Sequence, residues 1–421
     1  MQTYISSIRI LENVIFQGRS LDKSFAPGDS PLAKQVSYGV LRDFYRLKSV
    51  VGKLLQKPLP SKHNDIFLLL ISGIYSIDSL RRPAYTSVNA AVQCTASLKK
   101  GWSKGLVNAV LRNYIRHSSD LDGQIEPNTE AATNLPDWLY SRIAAAWPGE
   151  KKAITSACHH EPPMTLRVVD SWDQVSYDHA LKKINIGSHW GLLHEHACYL
   201  ATPVSVEELP GFNAGQVSVQ DEAAQMAALL LDLKAGHEVL DACAAPGGKS
   251  CHILQACPDI ALTAIDKDQT RLNRVNANLE RIKLSAKVIA CDLIDFKPNE
   301  PFDRILLDVP CSATGIIRRH PDIKLLRRES DIDKLAATQA KLLAVAWDLL
   351  KVGGKLLYAT CSILPEENEE IVASFCNNHA DAIVDELAVS WGLKTSTGRQ
   401  LLPTAKSHDG FFYARLIKKK L

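Results

Sequence analysis

Residues Val239-Leu240-Asp241-Ala242-Cys243-Ala244-Ala245-Pro246-Gly247-Gly248-Lys249-Ser250 pass from a short aliphatic run, through small residues, into a helical pattern. A strand that ends in a glycine-bearing turn and restarts as a helix opens an α/β unit, and open α/β sheets bind ligands at the strands' carboxyl ends. Working outward, short aliphatic runs recur at 261–266, 287–290, 303–308, 355–360 and 411–417, with 237–241 as the first. Long helical patterns at 269–282 and 332–350 intervene, so an open parallel sheet is expected over 216–421. Gly247 and Gly248 let the backbone approach a ligand closely. The loop is not a Walker A motif, because the residue five before Gly248 is Cys243, and no G-x-G-x-x-G accompanies it.

Toward the amino terminus the pattern differs. Ile5, Ile8, Leu11 and Ile15, then Val36, Val40, Leu41 and Phe44, recur at helical spacing, and five to seven helices fit before a polar stretch at 118–134 that reads as a linker. An all-α domain is therefore expected over 1–134 and a small α+β domain over 135–215. Residues 1–117 carry 17 Lys and Arg against 6 Asp and Glu, a net of +11, whereas 118–421 carry 32 against 40, a net of -8. A basic front end on an otherwise acidic chain suits a polyanion such as RNA.

Composition narrows the class further. In 421 residues, 46% are apolar and 23% charged, which excludes a disordered or fibrous chain. The longest wholly apolar stretch, residues 66–71, falls far short of the roughly 18–20 residues that cross a bilayer. No export signal stands at the front, so a cytoplasmic location without a membrane partner is expected, and the ten cysteines read as reduced thiols. His159, His160, His189, His194 and His196 lack zinc-ligand spacing with cysteines, and no metal is expected.

The strand tips carry the chemistry. Asp266 ends the second run, about twenty residues after the glycine turn, where a carboxylate can accept both ribose hydroxyls of an adenosine. Asp292 follows the third run, where an adenine amino group would lie. NAD and S-adenosylmethionine (SAM) sites share this logic. The fourth run ends in Asp308-Val309-Pro310-Cys311 and the fifth in Thr360-Cys361-Ser362, so two cysteines stand at neighbouring tips, where a thiolate could act as a nucleophile. Other cysteines, among them Cys94, Cys158, Cys198 and Cys376, read as small buried hydrophobes.

The set DACAAPGGK, LLDVPCSATG and YATCSILPEENEE resembles the SAM-dependent RNA cytosine-C5 methyltransferases of the RsmB/Nop2 family; IIRRHPDIKLLRR, QDEAAQ and DGFFYARL strengthen the match, and the helical front resembles the NusB fold. The resemblance implies a NusB-like all-α domain, a small α+β domain and a Rossmann-like methyltransferase domain. It implies SAM held by Cys243, Ala244, Ala245, Pro246, Gly247, Gly248, Lys249, Asp266, Asp292 and Asp308. It also implies Cys361 as nucleophile toward cytosine C6, Cys311 in product release and Asp308 as base contact or proton donor, provided Asp308 stays protonated. The implied substrate is a cytosine of 16S ribosomal RNA, extruded from any stack, with no DNA partner and a monomeric enzyme. Val309 and Ala313 depart from the family's Ala and Gly. The cationic run Arg318, Arg319, His320, Lys324, Arg327, Arg328 is expected to face RNA.

Two alternatives stay open at this point. A non-catalytic RNA-binding or antitermination factor would need neither thiol, and a cytosine methyltransferase for another RNA such as tRNA would share every residue above. An adenine amino-methyltransferase is expected to carry an Asn- or Asp-Pro-Pro-aromatic motif instead of Asp308-Val309-Pro310-Cys311.

Overall fold

The computed structural model describes residues 2–80 and 83–421; Arg81 and Arg82 of the basic front end lie outside the described residues. The chain forms two compact units, Met1–His160 with Ile317–Glu329, and Glu161–Ile316 with Ser330–Leu421.

In the first unit six long helices, Gln2–Ile15, Pro31–Arg42, Phe44–Leu54, Asn64–Ser79, Ala84–Ser97 and Lys104–Gly123, stand among the described residues with a few shorter ones. Ser30 caps the second by accepting from the Ala33 N–H, and Pro31 fits the first turn because that turn needs no amide donor. Asn64–Ser79 is buried nearly all round, with Ile66, Leu68, Leu69, Leu70, Ile71 and Ile74 in one core with Leu11, Leu47 and Leu111, as expected of a central helix without a polar face.

The polar stretch at 118–134 is not a free linker. The helix Lys104–Gly123 runs into it, and Asn134 docks its side chain on Phe44–Leu54, donating 2.9 Å bonds to the Arg42 carbonyl and Asp43 Oδ1 and accepting from the Tyr45 N–H. The compact units accordingly divide after His160 instead of at 134. A second difference is larger. The cationic run is a strap inside the helical unit: Arg318 and Lys324 are each 1% exposed, and the Lys324 ammonium donates to the carbonyls of Arg42 (2.6 Å) and Asn134 (2.7 Å). Arg42 in turn donates to the Arg318 carbonyl, and Asp322 accepts from the Leu21 N–H. Of the six cations expected to face RNA, Arg328 alone is exposed, while Arg319, His320 and Arg327 are half-buried. The apolar Ile317, Leu325 and Leu326 interleaved among them explain why the segment is buried.

The second unit holds two sheets. The smaller is antiparallel, in the order β2-β3-β1-β4, from β1 (Thr165–Val168), β2 (Ser188–Trp190), β3 (Ala197–Leu200) and β4 (Val217–Val219), with the helix Gln174–Lys183 between β1 and β2. Its last strand lies past the expected boundary at 215. The larger sheet has parallel β5 (Glu238–Asp241), β6 (Ala261–Asp266), β7 (Lys287–Ala290), β8 (Phe302–Asp308) and β9 (Leu350–Thr360) in the order β9-β8-β5-β6-β7. Beyond β9 the sheet turns antiparallel: β13 (Phe411–Lys418) pairs with β9, β10 (Ala382–Val384) and β12 (Arg399–Leu401), and β11 (Leu393–Lys394) pairs with β12. The sheet is thus mixed and not wholly parallel.

Successive residues face opposite sides, and both sides are covered. Val239, Leu306, Leu357 and Tyr413 pack with Met226, Ile253, Leu272 and Val275; their neighbours Leu240, Ile305, Leu356 and Phe412 pack with Leu342, Leu343, Trp347 and Phe375. No helix among the described residues is long and apolar enough to cross a membrane.

Candidate active site

Parallel pairing brings the carboxyl ends of the strands level. Asp241 lies opposite Leu306, Asp266 opposite Ala290 and Asp308 opposite Ala359. Above these tips opens a cavity of about 250 Å³, lined by Cys243, Ala245, Asp266, Asp292, Asp308, Cys311 and Cys361 of the residues expected from sequence. Ala244, Pro246, Gly247, Gly248 and Lys249 do not line it. Gly247 answers to packing: its φ is +99°, and a Cβ there would stand 2.9 Å from the Val275 Cα of the helix Gln269–Ile282. Gly248 has nothing within 4 Å of an added Cβ, so no close approach explains it.

The cavity has members that sequence reading passed over. Lys267, Arg271, Cys291 and Thr338 contribute polar atoms, and Leu293, Ile294 and Leu342 contribute an apolar wall. Arg271 lies one turn into a helix that follows Asp266, donates to the Ala245 carbonyl at 2.7 Å and stands 3.4 Å from Asp266. The spacing Asp266-x₄-Arg271 was the available signal. Asp266 is fixed from both oxygens, accepting from the Ala245 N–H at 3.2 Å and the Asp268 N–H at 3.0 Å. Carboxylates at two successive tips beside an apolar wall form a set that suits a ribose and an adenine.

Deeper in, Lys249 reaches Asp308 at 2.6 Å and lies over the Phe411 ring at 5.1 Å. Burial opposes the ammonium, but the charge and hydrogen bond of Asp308 outweigh it and hold the Lys249 pKa above its ordinary value. The donor in this pair is therefore Lys249, and Asp308 meets it as an acceptor. The Cys311 and Cys361 sulfurs lie 3.4 Å apart. The Cys311 thiol is pushed well up, by its hydrogen bond with Cys361, by burial, and by charge on Cys361 and Glu367. Cys243 is also pushed up, by burial and by Asp308, Asp241 and Asp266, which marks it as a neutral wall and not a nucleophile. Cys94, Cys158 and Cys198 are buried and Cys376 is half-buried, and none of them lines the cavity.

The comparisons with known proteins bear on this geometry. A family model described as 16S rRNA methyltransferase RsmB/F matches residues 228–417, the NusB family matches 6–116, and a ferredoxin-like domain of RsmF/B-like methyltransferases matches 135–207. Ribosomal RNA small subunit methyltransferase B of Pseudomonas putida is 45% identical over 395 residues, covering 93% of this chain and 91% of its own. The chain belongs to that methyltransferase B family. The Vibrio cholerae member is 40% identical and covers 100% of this chain and 98% of its own. Among solved structures, PH0851 superposes with a TM-score of 0.79 at 22% identity, covering 98% of each chain, which supports the fold. NSun6 from Pyrococcus horikoshii, solved with SFG, gives 0.61 at 21% identity over 68% of this chain and 99% of its own. The expected helical NusB-like, small α+β and Rossmann-like methyltransferase layout of the methyltransferase B family is borne out.

Proposed function

We propose that the protein methylates C5 of a cytosine in 16S ribosomal RNA, with SAM as methyl donor. The observation that carries this reading is the pair of sulfurs, Cys311 and Cys361, 3.4 Å apart in one cavity with Asp308 and the strand-tip carboxylates Asp266 and Asp292. The names of the relatives supply the RNA, small-subunit ribosomal RNA. Asp266, Asp292 and the backbone at Cys243 and Ala245 would hold SAM, and its sulfonium would supply an electrophilic methyl group. The exposed Arg112 and Arg116, which line a groove with Tyr85 and Asn89 on the helical unit, suit phosphate and base contacts.

Cytosine C5 is a poor nucleophile until a thiolate adds to C6. Cys361, its thiol proton lost to water, makes that bond as a thiolate, and the electron pair it contributes leaves C5 rich enough to be methylated. Charge moving toward N3 during attack is met by the Lys249–Asp308 pair, whose ammonium supplies the proton donor that the sequence alone suggests in a protonated Asp308. Release requires loss of the C5 proton and of the C6–S bond. Cys311 passes its thiol proton to the departing Cys361 sulfur and takes the C5 proton in its place. The C5–H pair becomes the C5–C6 double bond, and both sulfurs end as thiols.

Tritiated methyl transfer from SAM to unmethylated small-subunit RNA, with the product nucleoside identified and mapped, tests the proposal. 5-Methylcytidine at one site is expected, with turnover abolished in Cys361→Ser. Substantial turnover by that variant would remove the covalent step.

A further inference from the structure

Behind the two thiols lies a carboxylate that no step above uses. Glu367 ends the 3₁₀ turn Pro365–Glu367 and is 0% exposed. Its Oε1 accepts from the Ser312 N–H at 2.7 Å and from Gln339 at 3.1 Å; its Oε2 accepts from the Ser362 hydroxyl at 2.6 Å and from the Ser312 hydroxyl. All four donors are neutral. A buried carboxylate without a cation is costly unless such donors are held in place, so it is an unusual group to keep for packing alone. What it binds gives the reason: Ser312 directly follows Cys311, and Ser362 directly follows Cys361.

We propose that Glu367 is a positioning residue that clamps the Cys311 and Cys361 loops together and so sets the sulfur-to-sulfur distance on which product release depends. This rests on the covalent reading of the two cysteines given above. The clamp is uneven. The Cys361 loop has other anchors: Asn368 and Gln400 both donate to the Ser362 carbonyl, at 3.0 and 3.2 Å. The Cys311 loop is held at Pro310, which accepts from Gln339 at 2.9 Å, and at Thr314 and Gly315, which bond the Ser362 hydroxyl (3.1 Å) and the Cys361 carbonyl (2.9 Å), but Ser312, the residue next to Cys311, gives its N–H to Glu367. Loss of the carboxylate therefore frees Cys311 more than Cys361. Attack and methylation persist, whereas the relay that returns a proton to Cys361 and removes one from C5 loses its hydrogen-bond contact. The charge of Glu367 also helps keep Cys311 a thiol, the form with a proton to give.

The test is Glu367→Gln in the full chain, which keeps the side chain's size but replaces one acceptor oxygen with a donor. Against SAM and unmethylated small-subunit RNA, kcat is expected to fall about 100-fold, the scale of a ~1 Å misplacement, with the KM for SAM unchanged. A denaturation-stable protein–RNA adduct carrying the tritiated methyl group should accumulate. Ser312→Ala, which removes a hydroxyl but leaves the backbone donor, should show the same adduct in smaller amount, and it serves if Glu367→Gln does not fold. Wild-type turnover, or a folded variant that loses methyl transfer with no adduct, overturns the proposal. Cys311→Ser is run beside it. If Cys311→Ser traps the adduct and neither clamp variant does, the clamp alone is wrong; if Cys311→Ser traps none, the release role of Cys311 falls and the clamp with it.

Discussion

Ala313 shows what a single residue costs when the backbone demands another. Its φ is +61°, a left-handed conformation that disfavours any side chain with a Cβ, and it lines the cavity two residues after Cys311. Ala313→Gly should therefore stabilise the protein by roughly 1 kcal/mol, after allowance for the extra freedom glycine gives the unfolded chain. Urea unfolding of the two proteins checks the sign; a destabilised variant would mean that the methyl group's contacts outweigh the strain. At this scale the sequence was readable wherever a residue type is chemically unusual at its place, such as Cys361, Cys311, Asp266 and Asp308 at strand tips. Glu367 could not be read the same way. Its motif was visible, but its role depends on Ser312, 55 residues earlier, folding against it.

The helix Gln269–Ile282 falls where the sequence placed it because it buries one face, and β6 and β7 because they are short aliphatic runs, β6 buried from Leu262 to Asp266. The short strands β10, β11 and β12 were missed because two or three residues carry too little pattern. The glycine turn was found, but its reason was not. Gly247→Ala should destabilise by about 1–3 kcal/mol, since both a positive φ and the 2.9 Å approach to Val275 oppose a Cβ; unchanged stability in chemical denaturation would show that the helix can move aside. The strap offers a pH signature. Burial holds the Lys324 pKa down to about 7, while the unfolded chain keeps a lysine near 10.4. Between those values the unfolded state binds the extra proton, so stability rises with pH through that window and is lowest at and below about 7. Lys324→Met removes this rise. The wild-type advantage over the variant should thus grow by roughly 1 kcal/mol per pH unit between pH 7 and 9; a constant difference in urea midpoints would show that Lys324 keeps its proton.

For the whole molecule, the apolar spacings along the chain gave the kinds of domain and their order. They could not show that Ile317–Glu329 leaves the catalytic sequence to join the helical unit. A chain cut to begin at residue 135 would strip Leu325, Leu326 and the Lys324 ammonium of their helical neighbours. It should express with a protease-sensitive site at 317–329 and bind an apolar dye more strongly than the full chain; limited proteolysis that spares this segment would show that it folds without the helices. The same strap has a consequence for synthesis. Residues 1–160 leave the ribosome first, yet the piece that completes their core is made 157 to 169 residues later. At about 5–20 residues per second the helical unit waits roughly 10–30 s for its last segment. Through that interval the Asn134 carbonyl and the Leu21 amide lack the bonds they make in the finished unit, so the nascent chain, more than the finished enzyme, is the form that calls on chaperones.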